Sequence, residues 1–169
     1  MKVRVAKSGD EQEITRINVE TWHSAYKGII PEKLLAEKKA DDRRISNWKK
    51  TIEEAESRGI RVWVAEDDYG KIQGYLCGGK SRDDFAGYDY EIYALYVHPD
   101  CQKRGVGKML VNVFRDFIGH KPFYLFMAEG NVAAEKFYKK LGGVKNRELN
   151  RSLQISGCVL KEECFNFQL

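Results

Sequence analysis

Residues 93–110 read YALYVHPDCQKRGVGKML, and within them the hydrophobic period changes. Tyr93 to Val97 is an apolar run of strand character, and His98-Pro99-Asp100 is turn chemistry. From Val106 onward, Met109, Leu110, Val113, Phe114, Phe117 and Ile118 recur at i, i+3, i+4 and i+7, the pattern of an amphipathic helix. A strand therefore hands the chain through a short turn into a helix that begins around Arg104. Gly105 and Gly107 fall in its first turn. There the unpaired N–H groups and the positive end of the helix dipole favour an anion, and missing side chains let a ligand reach the backbone. The stretch is not a dinucleotide fingerprint, because no third glycine follows three residues on and no βαβ unit precedes it.

Working outward, residues 2–6 (KVRVA) alternate as a short strand. Ser8-Gly9-Asp10 then offers caps for a helix with one stripe at Ile14, Ile17, Thr21 and Ala25 and a second at Val19, Trp22, His23 and Tyr26. Gly28 and Pro31 break this helix, and a charged helical region runs to about Ser57. Residues 61–66, 71–79 and 88–97 read as three strands joined by turns. Beyond the central helix come a buried strand over 122–127 (PFYLFM), a helix from Asn131 to Leu141 ended by Gly142-Gly143, and two strands over about 144–153 and 159–167. The order β-αα-βββ-α-β-α-ββ predicts a single α/β domain with a mixed sheet and helices on both faces.

The 169 residues suffice for one domain with a core, and 43% apolar with 32% charged residues is ordinary for a globular chain. Net charge is +4 and dispersed in doublets along helical segments, so no nucleic-acid partner is expected. No apolar run approaches the roughly 20 residues of a membrane span, and the N-terminus lacks a signal-peptide core. A cytoplasmic protein with no membrane partner is expected. Cys77, Cys101, Cys158 and Cys164 stand apart from one another and from any His at ligand spacing, so free thiols and no metal are expected.

Residues 74–81, GYLCGGKS, match the phosphate-loop pattern G-x-x-x-x-G-K-[ST] letter for letter. Their context argues against that role. A phosphate loop opens into a helix, whereas RDDFAGYD follows here without a helical repeat. The stretch reads as a strand whose last glycines end it or permit a bulge.

Two motifs resemble the GNAT (GCN5-related) N-acetyltransferases. One is Q/R-x-x-G-x-G/A, present as Gln102-Lys103-Arg104-Gly105-Val106-Gly107. The other is N-x-x-A-x-x-F-Y-x-x-x-G-F, present from Asn131 through Phe137-Tyr138 to Gly142-Gly143, with Gly143 where the family usually has Phe. The resemblance covers nearly the whole chain in element order. It implies a mostly antiparallel central sheet flanked by helices and a transfer of acetyl from acetyl-CoA to an amine. It implies further that amides of Gly105, Val106, Gly107 and their neighbours, among Gln102, Lys103, Arg104 and Lys108, hold the pyrophosphate. The backbone of Leu95, Tyr96 and Val97 would pair with the pantetheine arm, Asn131 would bind further along it, and Tyr138 would protonate the departing thiolate. Helical geometry separately puts Asn131 and Tyr138 on one face, seven residues apart, and Phe137 on another. The alternative for Tyr138 is a packed tyrosine with a surface hydroxyl.

Attack on the thioester needs a deprotonated amine, and the resemblance implies Glu91 as the candidate base, because the histone-acetylating members carry their catalytic glutamate at the same offset before the first motif glycine; a water chain, or a rim or ion-paired role for Glu91, is the alternative. Trp22 and Tyr26 resemble the W-x-x-A-Y-x-G-x-x-P segment of small bacterial acetyltransferases, which implies that they, with Glu91, border the acceptor; packing of the helix on the sheet is the other reading. Asp83, Asp84, Asp89 and Glu91 suggest attraction of a cationic amine such as a polyamine, a solvated turn being the other reading of the first two. The acceptor is thus a polyamine, an amino-acid-like small molecule or a peptide, and a homodimer is left open. A catalytically silent acetyl-CoA-binding regulator and a phosphate-loop triphosphatase are the competing classes.

Overall fold

A computed structural model of the chain describes residues 1–85 and 87–168. Seven strands form one sheet: β1 (Lys2–Val5), β2 (Ile60–Glu66), β3 (Ile72–Lys80), β4 (Tyr90–Val97), β5 (Phe123–Ala128), β6 (Val144–Ile155) and β7 (Cys158–Phe167), in the order β1-β2-β3-β4-β5-β7-β6. Helices α1 (Glu11–Ala25), α2 (Glu32–Glu37) and α3 (Asp42–Glu54) precede β2, while α4 (Val106–Phe117) and α5 (Val132–Lys140) flank β5. The β4–β5 pair is parallel and every other neighbouring pair is antiparallel. The charged region before β2 is two helices rather than one, because the chain turns extended at Lys38 and Asp41 caps a fresh N-terminus by accepting from the Arg44 amide at 2.9 Å.

One core layer lies between the sheet and α4/α5, built on Leu76, Ile92, Leu110, Phe114, Phe123, Tyr138, Phe165 and Phe167. The other lies under α1 and α3 and holds Ile14, Ile17, Val62, Val64, Tyr75 and Cys77. The glycines of GYLCGGKS serve these layers. A Cβ at Gly78 would stand 2.8 Å from both the Glu91 carbonyl oxygen and Phe114 Cε2, and one at Gly79 would stand 2.4 Å from the Gly59 carbonyl oxygen. Such approaches lie inside van der Waals contact, so only glycine lets α4 and the neighbouring strands come this close. The stretch is strand from Ile72 to Lys80, and the phosphate-loop reading is excluded by its position inside the sheet. The two glycines do not end the strand; the register shifts between Cys77 and Gly78 instead.

Candidate active site

That register shift builds the site. Cys77 pairs with Ala94 and Gly78 with Ile92, leaving Tyr93 as the extra residue on β4. A bulge bends its strand and aims it away from its neighbour. Accordingly β4 and β5 pair only at Tyr90–Phe123, Glu91–Tyr124 and Ile92–Leu125, and then diverge. The edge of β4 beyond Ile92 borders a cleft of about 660 Å³, lined by Leu95, Tyr96 and Val97 and by Met127 of β5. An open strand edge offers backbone donors and acceptors to an extended ligand.

The loop from β4 to α4 and the first turn of that helix close one wall of this cleft, through Gln102, Lys103 and Gly105 and then Gly107 and Lys108. Lys103 (φ 60°) and Gly105 (φ 87°) are both left-handed. Such turns direct successive N–H groups to one side, the geometry of an anion nest. No side chain caps α4 and no acidic residue occupies its first turn, so its dipole and open amides are uncompensated. The loop is held from behind: Gln102 Nε2 donates to the Val97 carbonyl at 3.1 Å, and His98 Nε2 lies 2.7 Å from Glu20 Oε2 of α1. The two glycines differ in purpose. A Cβ at Gly105 would meet nothing within 4 Å, whereas one at Gly107 would stand 2.9 Å from Phe137 Cζ. Gly107 therefore allows α4 to pack on α5. Val106 turns its side chain into the core, and Arg104 is exposed outside the cleft wall.

Asn131 and Tyr138, both on α5 or its cap, line the same cleft. Asn131 Oδ1 accepts from the Ala134 amide at 3.1 Å, which starts the helix and leaves the side-chain amide N–H₂ as the group a ligand can use. The Tyr138 ring packs on Phe137, Phe165 and Phe167. Burial, and then the nearby Tyr96, push its hydroxyl well above the ordinary phenol range, which keeps it protonated. Tyr26 also lines the cleft, and its hydroxyl is raised by burial and by Tyr96. Trp22 stands behind, donating from Nε1 to the Tyr96 hydroxyl at 3.0 Å and meeting Tyr26 edge to face at 4.9 Å. Three phenols thus share one region, and Tyr96 links them.

Glu91 is placed differently. Its side chain is fully buried, Oε2 accepts from Arg82 Nε at 2.9 Å and from the Tyr124 hydroxyl at 3.2 Å, and Oε1 is held by Arg82 Nη2. It does not line the cleft that contains Tyr138. Tyr124 in turn sits 2.7 Å from Ser81 Oγ.

The Acetyltransferase (GNAT) family profile matches residues 19–143. The chain belongs to the GNAT acetyltransferase family. It is 30% identical over 164 residues to the uncharacterized N-acetyltransferase YuaI of Bacillus subtilis, covering 95% of this chain and 88% of that one. Among solved structures, yncA of Salmonella typhimurium with acetyl-CoA superposes with a TM-score of 0.72 at 23% identity, over 100% of this chain and 94% of that one. The PaiA N-acetyltransferase of Thermoplasma acidophilum, in complex with coenzyme A, does so at 0.68 and 18% identity, over 96% of each. These likenesses show the same fold, a mostly antiparallel sheet flanked by helices. N-acetyltransferase is the enzyme class of this GNAT chain.

Within this GNAT fold the family's usual Phe at position 143 has a substitute. A Cβ at Gly143 would come 2.6 Å from Phe167 Cζ, so a ring from β7 fills the place and Gly143 makes room for it. Sequence reading missed Glu162, whose charge bears on both Tyr26 and Tyr96 and which accepts from Arg151 Nε at 2.7 Å. Strand parity held the signal: Phe165 and Phe167 face α4 and α5, so even-numbered residues of β7 face the other way. Within the acidic stretch, Glu91 is taken by Arg82 and Asp83 lies 3.4 Å from Arg151, so these two carboxylates are already paired. Among the described residues, no helix is long and apolar enough to cross a membrane, and no cluster of metal-ligating side chains occurs.

Proposed function

We propose that this chain transfers the acetyl group of acetyl-CoA directly to a primary amine, in a ternary complex, the acceptor being a polyamine, an amino-acid-like small molecule or a peptide. One observation carries the reading: a single cleft contains an open strand edge, an uncapped helix N-terminus and a protonated tyrosine. The residues fit the donor. About 660 Å³ suits an extended arm, the nest from Gln102 to Lys108 with its lysines suits a pyrophosphate, and Leu95, Tyr96 and Val97 offer a backbone edge to amides.

When bound, the thioester supplies an activated acyl carbon. In the transfer, a C–N bond forms to the amine and the C–S bond breaks. Tyr138 gives its proton to the departing sulfur, and Asn131 orients the arm. Trp22 and Tyr26 border the acceptor. The amine's proton leaves toward Glu91; since neither that carboxylate nor Tyr124, which donates to it, lines the cleft, a water chain must relay it. Four free thiols suit a reducing cytoplasm.

Titration calorimetry with coenzyme A, acetyl-CoA and ATP, together with thiol release on a panel of amines, tests the reading. Gly105→Val is expected to weaken CoA binding at least about tenfold, through an intruding side chain and a φ that β-branched residues avoid. ATP binding without CoA binding refutes the donor site, and tight CoA binding with no thiol release for any amine refutes the enzyme in favour of a silent regulator.

A further inference from the structure

A second cavity of about 620 Å³ lies on the α1/α3 face of the sheet. Among the described residues five cations stand in its wall, Lys38, Arg44, Arg58, Lys80 and Arg82, and no carboxylate does. Arg82 is balanced by Glu91; among the described residues the other four have no ion-pair partner. Among the described residues Arg44 Nε is buried without a hydrogen-bond partner, and the guanidinium's one hydrogen bond there is from Nη2 to the Glu37 carbonyl at 3.5 Å. An unpaired buried donor on a charged group is costly unless something outside the chain accepts from it.

This cavity adjoins the acetyl cleft. Tyr93 and Ala94, the bulge on β4, stand in both walls. The Arg82 guanidinium lies 4.4 Å over the Tyr93 ring, and Lys38 Nζ lies 3.9 Å over Trp22, whose indole N–H bonds Tyr96 in the cleft. A single aromatic side chain, Tyr93 or Trp22, thus links Arg82 or Lys38 to the wall of the cleft.

We propose that this cavity is the anion subsite of the acceptor, so that the amine acetylated is a small one carrying a carboxylate or a comparable oxyanion, as an amino acid does. The inference rests on the transferase reading above and narrows it, for a polyamine would face these cations with its own. Burial, then the Arg44 charge, lower Lys38 to about 8; it is a half-buried ammonium that has no counter-ion among the described residues, and a bound oxyanion supplies one. Guanidinium groups suit the planar two-oxygen face of such an anion.

Two measurements separate this inference from the reading beneath it. The first needs no turnover: N-acetyl-L-amino acids and their carboxamides are titrated by calorimetry, with the protein's tryptophan emission, to which Trp48 in the cavity wall contributes, as a second readout. The acids should bind at least about tenfold more tightly than the amides, and Arg44→Gln should remove most of that preference. Arg58→Gln, at an exposed wall position, gives a second variant should Arg44→Gln fail to fold. The second compares thiol release from acetyl-CoA with L-amino acids, the matching amino-acid amides and spermidine, the acids being favoured in kcat/KM by about tenfold or more. Equal binding of acid and amide, or faster turnover of spermidine, overturns the subsite. Acid-selective binding with no thiol release for any amine overturns the transferase reading and leaves the subsite standing.

Discussion

Replacing Tyr138 by Phe removes one hydroxyl and keeps a ring that packs 5.3 Å from Phe137, 5.8 Å from Phe165 and 6.3 Å from Phe167, measured between centroids. Burial and the neighbouring Tyr96 phenol raise that hydroxyl's pKa, and among the described residues no side chain hydrogen-bonds to it. The hydroxyl opens on the cleft rather than a sealed interior, so the desolvation it costs the folded state is small, about 1 kcal/mol at most. Tyr138→Phe should therefore match or exceed the wild type in stability, by up to about 1 kcal/mol, or roughly 2–4 °C in Tm. Catalysis should respond oppositely. A positioned general acid contributes about 10²–10⁴-fold. A thiolate, with an ordinary pKa near 8.5, is a fair leaving group and sets the expectation at about 10²-fold in kcat, or roughly 2.7 kcal/mol. Affinity for coenzyme A should move little. Thiol release under saturating acetyl-CoA, a thermal melt and calorimetric titration of CoA together check all three. A kcat within about threefold of wild type refutes the acid role. A loss of more than about 2 kcal/mol in stability shows that the hydroxyl was structural, whatever the rate does.

Glu91→Gln keeps the shape but leaves Arg82 and Tyr124 facing an amide, so a stability loss of about 1–3 kcal/mol is expected by denaturant unfolding. If Glu91 also receives the amine's proton, its kcat–pH profile should lose the acid limb, which a purely structural role would leave in place. Gly107→Ala should cost about 1–3 kcal/mol through overlap with Phe137, and Phe137→Leu in the same chain should restore part of it; additive losses would refute the packing role. Lys38→Met tests the crowded cation. Because the folded state lowers the Lys38 pKa from 10.5 to about 8, protonated Lys38 opposes folding at pH 7, and the penalty fades as pH rises from about 8 to 10.5. The variant should be more stable than wild type in melts at pH 7, by about 1–2 kcal/mol after allowance for partial exposure, and the advantage should shrink by pH 10. A constant difference across that range contradicts the assignment.

The sequence alone determined what is local. Strict helical spacing from Val106 to Ile118 fixed α4, the glycines before it marked the strand-to-helix turn, and the seven-residue interval put Asn131 and Tyr138 on one face of α5. These are properties of a few consecutive residues and their period, so they survive without knowledge of partners. The break between α2 and α3 escaped because Asp41 reads as one more charge in a charged run until its carboxylate is seen on the Arg44 amide. Long-range packing decided the rest. The glycines of β3 could be assigned only once Phe114 and the Glu91 carbonyl stood against Gly78. Glu91 looked like a base from its position on the strand, and only the fold brought Arg82 and Tyr124 to its oxygens. The cationic cavity draws Lys38, Arg44, Arg58, Lys80 and Arg82 from four separate segments, so no window of sequence contains it. Charge and burial at a point in space sum over neighbours that the chain order scatters, and the bulge at Tyr93 sets which of them meet.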